Sequence, residues 1–266
     1  MMMNRYRLAT VMMAFALAAG PASARDRATI DESFGAGALD LRGLAARVHV
    51  RLHDSGTIRL RATGPASWID DLSRYAKDGA LVVTAAPVQG FGAGSAVTIA
   101  TGFGARAVTR VGGLTIRSEG TGDGDLPEVE LWVPAGTPMT ATGAVGEWDI
   151  ADLRAPLAIE VTAGQAAAGA VTDATVRILG SGAVTVARVD GDLTADLSGA
   201  GDITVGGGRV DMLTASIAGT GTIRVQAPAD RADLSISGIG TIDADRIARK
   251  PSVRVSGVGT VRTGLR

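Results

Sequence analysis

The sequence predicts a mainly β protein: a parallel β-solenoid with coils of about nineteen residues fills the C-terminal half, and a strand–helix–strand cap precedes it. Three observations predict this. A glycine pair recurs at near-constant spacing, apolar residues flank it at period two, and the connections between strands are too short to hold a crossover helix.

The chain opens on a pattern that reads as a secretory leader. Arg5 and Arg7 precede the apolar run Leu8–Ala19, and Pro21-Ala22-Ser23-Ala24 closes it with a small-x-small cleavage pattern. The run is short for a bilayer span, so a mature chain starting near Arg25, with no stable membrane span, is expected in the periplasm or at the outer surface. Losing the two leader arginines leaves 24 cations against 27 acids, a net charge of about −3 with no evident basic cluster. Nucleic acid is therefore not an expected partner. With no cysteine, the exported fold has neither disulfides nor a lipid-attached N-terminal Cys and must rely on a packed core. Glycine is abundant and aromatics scarce, yet Val, Ile, Leu and Ala are frequent enough to build that core.

Residues 25–126 read as a capping region. Strands at Arg47–Leu52 and Thr57–Ala62 flank His53-Asp54-Ser55-Gly56, whose composition suits a hairpin turn. Pro65–Lys77 carries Trp68, Ile69, Leu72 and Tyr75 at helical spacing, with Asp78-Gly79 as a stop and a strand at Leu81–Ala85 after it. Residues 88–125 are rich in glycine, with strands expected at Val97–Ala100 and Leu114–Arg117.

Residues 127–266 read as the solenoid. Pro127–Pro134 alternates as a strand, and Gly143-Ala144-Val145-Gly146, Trp148, Ile150, Gly164 and Val171 mark irregular early coils. The repeat then becomes regular at Leu179-Gly180-Ser181-Gly182, Ser198-Gly199-Ala200-Gly201, Ala218-Gly219-Thr220-Gly221, Ser237-Gly238-Ile239-Gly240 and Ser256-Gly257-Val258-Gly259. The first glycines stand 19, 20, 19 and 19 apart. Two before them lie Ile178, Leu197, Ile217, Ile236 and Val255, and four after them Val184, Ile203, Ile223, Ile242 and Val261. Two strands per coil with one buried face must stack on their equivalents in the next coil. The glycines then serve as corners, through positive φ or close backbone approach. Seven coils at about 4.8 Å each make a rod of roughly 33 Å. An outward column Thr185, Thr204, Arg224, Asp243, Arg262 is expected to fix register, and the edge beyond Val261 is expected to be open to edge-to-edge self-association.

The leader, the opening around Trp68–Tyr75 and Asp78-Gly79, the strand ending in Val133-Pro134 and the repeated Ser-Gly-x-Gly-[Asp/Thr]-Ile together resemble the auto-transporter adhesin, head GIN domain family of bacterial envelope proteins. The resemblance spans about residues 36–263 and is clearest at Leu197–Val205. It implies a right-handed β-helix at the cell surface or in the periplasm and, by the family name, adhesion. Two features depart from the family pattern: the long glycine-rich stretch 88–125, and an Asp after the second glycine only at Asp202.

The residues that could carry chemistry favour a binding protein. His49 and His53 share a strand face with Arg51 between them and no third ligand, so they read as solvated rather than metal-binding. Asp202 is replaced by Ala183, Thr222, Thr241 and Thr260 in the other coils, which removes a calcium ladder. Each Gly-x-Gly leads into a strand and not a helix N-terminus, so no dinucleotide is held there. Carboxylate chemistry is the enzyme alternative, through Asp190, Asp192 and Asp196 or Asp243 and Asp245, but residues 151–266 contain no aromatic on which a sugar ring would stack. Trp68, Tyr75, Trp132 and Trp148 read as a plug for the N-terminal end, with Trp132 as the one that parity could place outside.

No catalytic, cofactor-binding or metal-ligating residue is assigned. The expected function is that of an exported, non-enzymatic envelope protein, an adhesin or binding scaffold whose partner is a protein or a cell-surface glycan. Alternatives are a periplasmic structural or envelope-stress interaction module and a carbohydrate-active β-helix enzyme.

Overall fold

The computed structural model describes residues 27–85, 107–111, 114–118 and 126–265. The leader, and most of the glycine-rich stretch with its strand expected at Val97–Ala100, lie outside these residues. The elements run β1 (Arg27–Phe34), β2 (Ala38–Arg42), β3 (Ala45–Leu52), β4 (Ile58–Pro65), α1 (Ala66–Asp71), β5 (Ser73–Lys77), β6 (Ala80–Thr84), β7 (Ala107–Val111), β8 (Leu114–Ser118) and β9 (Glu128–Val133). The solenoid proper follows with β10 (Met139–Ile150), β11 (Leu157–Val171), β12 (Ala174–Leu197), β13 (Ala200–Val205), β14 (Gly208–Ile217), β15 (Thr220–Val225), β16 (Ala229–Ile236), β17 (Ile239–Ile247), β18 (Ser252–Val255) and β19 (Val258–Leu265). It makes about seven turns of about nineteen residues.

Each turn supplies one strand to each of two long sides. The second side is the more regular: Trp148, Ala166, Val184, Ile203, Ile223 and Ile242 stand in parallel register, one per turn, and all are buried. Period-two alternation puts these residues inside and their neighbours outside. A buried Val or Ile side chain contributes about 1.5–3 kcal/mol. Repeated rung on rung, this column forms one continuous core with the N-terminal strands.

The glycine pairs are sites of close backbone approach. A Cβ on Gly199 would stand 1.8 Å from the Gly180 carbonyl oxygen, on Gly219 1.8 Å from that of Gly199, and on Gly238 2.0 Å from that of Gly219. The chain crosses the same corner in every turn with backbone lying on backbone, and a side chain there has nowhere to go.

The start of the stack comes from far upstream. β2 and β3 pair in parallel with the two halves of β10, so residues 38–52 form a rung directly beneath it. The expected hairpin between Arg47–Leu52 and Thr57–Ala62 does not form. β9 lies between the two strands, parallel to β3 and antiparallel to β4. The connection through His53–Gly56 therefore steps over β9, and its backbone bonds to β9 through the His53 N–H donated to the Val133 carbonyl at 3.0 Å.

The expected helix over Pro65–Lys77 is also shorter than its periodicity suggested. Only Ala66–Asp71 is helical; Ser73–Lys77 is a strand antiparallel to β6. Asp78-Gly79 turns this hairpin, with φ of 51° and 80°, and is not a helix stop. Positive φ at both central residues is the geometry that Asp-Gly favours in two-residue hairpins. The helix-like spacing of Leu72 and Tyr75 arises across the change of element, and Tyr75 is exposed while Trp68, Ile69 and Leu72 are buried.

The N-terminal end is closed by a change of strand direction. On the second side the parallel ladder ends in antiparallel β4 and β1; on the first it ends in β6 and antiparallel β5. α1 joins β4 to β5 across this end with its apolar residues turned inward. At the other end Val253 and Val255, which continue inward rows, are 45% and 46% exposed. β7 and β8 form a separate antiparallel pair, and β8 coincides with the strand expected at Leu114–Arg117. Among the described residues no helix is long and apolar enough to cross a membrane.

Candidate functional site

The outward surface of the second side is a grid of polar rows running across the strands. One row reads Asp31, Arg61, Glu130, His49, Asp149, Ala167, Thr185, Thr204, Arg224, Asp243, Arg262 in register. The column expected from Thr185 to Arg262 is therefore the distal half of a longer ladder. Its proximal half carries ion pairs: Arg61 lies 3.7 Å from Glu130, and Arg51 lies 3.4 Å from Asp149. Arg59 stacks 5.1 Å over the half-buried Trp132 ring and bonds Asp31.

Between the charged ends the row drops to Ala167, and a groove opens there. It has a volume of about 280 Å³ and is lined by His49, Glu147, Trp148, Asp149, Gln165, Ala166, Ala167, Ala183 and Thr185. Its cause is a step in side-chain size. β3 and β10 present His49, Glu147 and Asp149, whereas β11 presents Ala167 beside Asp149 and β12 presents Ala183 beyond Gln165 in the row of Glu147. Arg47 holds Glu147 Oε2 at 3.1 Å, and Arg51 faces Asp149 Oδ2. His49 Nδ1 is 3.6 Å from Asp149 Oδ2 and, although buried, has no hydrogen-bond partner.

The two histidines flagged by the sequence do not share a site. His53 lies just past the end of β3, its Nε2 2.6 Å from the Thr57 carbonyl, while His49 faces Asp149. Among the described residues no group of three His, Cys, Asp or Glu side chains is placed to hold a metal ion.

The flagged carboxylates are dispersed and engaged. Asp190 accepts from Arg188 at 2.9 Å and from the Arg209 N–H at 3.2 Å. Asp196 accepts from the Ser216 hydroxyl at 2.7 Å, on the other long side. Asp192 is exposed, and its own N–H donates to Asp173 Oδ1 at 2.9 Å. Asp243 lies in register between Arg224 and Arg262, and Asp245 is exposed in the following corner. Of the four aromatics expected at the N-terminal end, Trp68 is buried there under Gly64 and Pro127, whereas Trp148 sits inside the stack between β3 and β11.

A local concentration of positive charge corrects the expectation that none stands out. Residues 246–265 contain Arg246, Arg249, Lys250, Arg254 and Arg262 and no acid. The preceding turn answers part of it, since Asp233 pairs with Arg254 at 3.1 Å and Asp243 adjoins Arg262.

Two surface pairs contribute modestly to the acid sensitivity of the fold. Arg59 donates to both oxygens of Asp31, at 2.8 and 2.6 Å, and this hydrogen bonding holds the Asp31 carboxyl below the usual carboxylate range; Arg188 does the same to Asp190. A folded value below the unfolded one, about 3.9, contributes stability above that pH and loses it as pH falls through the folded value. Denaturation midpoints measured from pH 7 to 2 are expected to lose this contribution only below about pH 4. Arg59→Ala should flatten the acid limb; an unchanged limb would remove the pair from the explanation.

Residues 175–264 match the model of a family described as "Putative auto-transporter adhesin, head GIN domain". The match begins in the first half of β12 and is narrower than the span of about 36–263 read from the sequence. No curated protein matches this chain. Among solved structures, a "putative adhesin" from Bacteroides fragilis is similar over 91% of this chain and 98% of its own, with a TM-score of 0.62 at 16% identity. A "Putative lipid binding protein" from Parabacteroides distasonis is similar over 90% and 97%, with a TM-score of 0.51 at 14% identity. At such identities the likeness is one of fold.

Proposed function

We propose, from the premise that residues 175–264 carry the head GIN domain, that this chain is an exported, non-enzymatic, adhesin-like protein that binds through the outward face of its second side. The observation that carries the reading is that this face is a register-locked, mostly polar grid from eleven strands, Asp31 at one end and Arg262 at the other. A rigid surface presents many contacts with little ordering cost. The engaged state of Asp190 and Asp196 supports a binding role over acid–base chemistry, which needs a carboxyl placed at a reacting atom. The export signal read at residues 1–24 supports an envelope location.

The test is surface labelling of intact cells expressing the full sequence, together with adherence of the purified secreted protein to host or bacterial cells. Labelling of intact cells and saturable adherence are expected. Protein reached only after the outer membrane is opened would sink the adhesin reading. Hydrolysis or elimination of a polysaccharide by the same preparation, lost in Asp192→Asn, would overturn the non-enzymatic one.

A second reading is a periplasmic interaction module, favoured by the exposed apolar end. Val258 is 74% exposed beside Val253 and Val255, and β18 and β19 are the last strands of their ladders among the described residues. Strictly periplasmic protein that captures an envelope partner, with capture lost in Val253→Asp/Val255→Asp, would support this reading over the first.

A further inference from the structure

We infer that the groove between β10 and β12 on the second side is a binding site for a single neutral sugar ring; the inference rests on the adhesin-like reading and specifies its ligand chemistry. The inventory of the groove is that of a polyol site. Glu147 and Asp149 are each engaged through one oxygen, Oε2 by Arg47 and Oδ2 by Arg51, which leaves Oε1 and Oδ1 as acceptors on one wall. Thr185, two strands across from Asp149, and Gln165, on the middle strand beside Glu147, offer both donors and acceptors. Neutral hydroxyls, which donate and accept at once, can satisfy both walls.

Charge selects against other classes. The two carboxylates are already answered by Arg47 and Arg51, so a cationic ligand gains little from them and an anionic one is repelled by the acceptor wall. Size narrows the class further. Asp149, Ala167 and Thr185 are consecutive in register, so Asp149 and Thr185 stand two strand spacings apart, about 9.6 Å. A six-membered ring with hydroxyls on opposite edges spans that distance once a hydrogen bond of about 2.8 Å is added at each side. The volume of about 280 Å³ suits one ring and not an oligomer.

The floor is made of the Ala167 and Ala183 methyls, against which the C–H face of a sugar can lie. No exposed aromatic lines it, so affinity is weak for one site and a glycan-coated surface is held through many copies. His49 supplies the element that responds to ligand. Its Nδ1 lacks a partner and stands 3.6 Å from Asp149 Oδ2, and Asp149 is half exposed. A hydroxyl held by Asp149 Oδ1 steadies this carboxylate and lets it close onto Nδ1.

The test uses the full secreted protein and NMR, ligand-observed for affinity and protein-observed for the histidine rings, with D-glucose, D-galactose, D-mannose and N-acetyl-D-glucosamine, and with cadaverine and D-glucuronate as charged probes. At least one neutral sugar is expected to bind with a millimolar Kd, more tightly than either charged probe, and to shift the ring signals of His49. Ala167→Phe, at an exposed position, fills the groove and should weaken binding at least tenfold, as should Asp149→Asn. Thr222→Ala, two strands beyond Ala183 in its row, should change it less than twofold. The inference is overturned if no neutral sugar saturates below about 100 mM, a free energy of only about 1.4 kcal/mol. It is also overturned if a charged probe binds more tightly, or if Ala167→Phe binds as the unaltered protein does while its circular dichroism shows it folded. Sugar binding without adherence to cells removes the adhesin reading and leaves the groove; adherence that survives Ala167→Phe without measurable sugar binding does the reverse.

Discussion

Gly219→Ala is expected to destabilise the protein by more than about 3 kcal/mol, the upper end of what overpacking costs. The added methyl would meet the Gly199 carbonyl oxygen at 1.8 Å, its carbon at 2.7 Å and the Ser198 carbonyl oxygen at 2.6 Å. All three are backbone atoms of the turn below, so no rotamer change relieves the overlap. Relief requires the turns to separate at this corner, which strains the bonds that hold them, among them the Gly219 N–H donated to the Leu197 carbonyl at 3.0 Å. For a chain of this size the loss corresponds to a fall in Tm of roughly 6–12 °C, readable by calorimetry. Gly56→Ala, where an added methyl meets nothing within 4 Å, is the matched control and should stay within about 0.5 kcal/mol. A Gly219→Ala protein as stable as its parent would mean that the corners have slack and that their glycines need another explanation.

Trp148→Ala is expected to cost about 3–5 kcal/mol. Trp148 is 4% exposed and stands in the inward row between Val48 below and Ala166 above. The large ring and the small methyl share one layer of the core, and truncating the ring leaves a void that rungs held by backbone bonds cannot collapse to fill. The pairing of sizes makes the test specific. Ala166→Leu in the Trp148→Ala background should recover part of the loss in denaturant midpoint, and Ala166→Leu alone should destabilise. If the double variant is no better than Trp148→Ala, the two side chains do not share that space.

What could be read in the sequence follows from what repeats. The inward rows of Ile203, Ile223 and Ile242, the glycine corners and the outward column through Arg224 and Asp243 each recur at one period, and a periodic signal needs no knowledge of distant partners. Where the period is broken, local reading misplaces elements. The turn-like His53–Gly56 does reverse the chain between two strands, yet nothing local announces that β9 lies between them. Likewise Leu72 and Tyr75 keep helical spacing to Trp68 although the chain leaves the helix at Leu72, because the pairing of β5 with β6 overrides the weak helical preference of a short segment.

The groove was illegible for the same reason. Ala167 is an unremarkable alanine in sequence; it becomes a gap only because Asp149 and Thr185 flank it and His49 lies on the strand beyond, one hundred residues before Asp149. His49 was visible as a histidine and not as one that faces a carboxylate, since the parallel pairing of β3 with β10 cannot be inferred from either strand alone.

The position of β9 has a consequence for how the chain gains order. Stacking one turn on the previous one closes a loop of about nineteen residues, whereas joining Arg47 to Glu128 closes one of about eighty. By the logarithmic dependence of loop closure on length, the second step costs about 1.3 kcal/mol more in chain entropy. The β5–β6 hairpin and the β1–β4 pair close over short separations, whereas β3 acquires its partners only when β9 and β10 are present. The rung at β3 is thus the costliest junction of the second side to close, set between an N-terminal group of strands and a run of turns that each form from near neighbours.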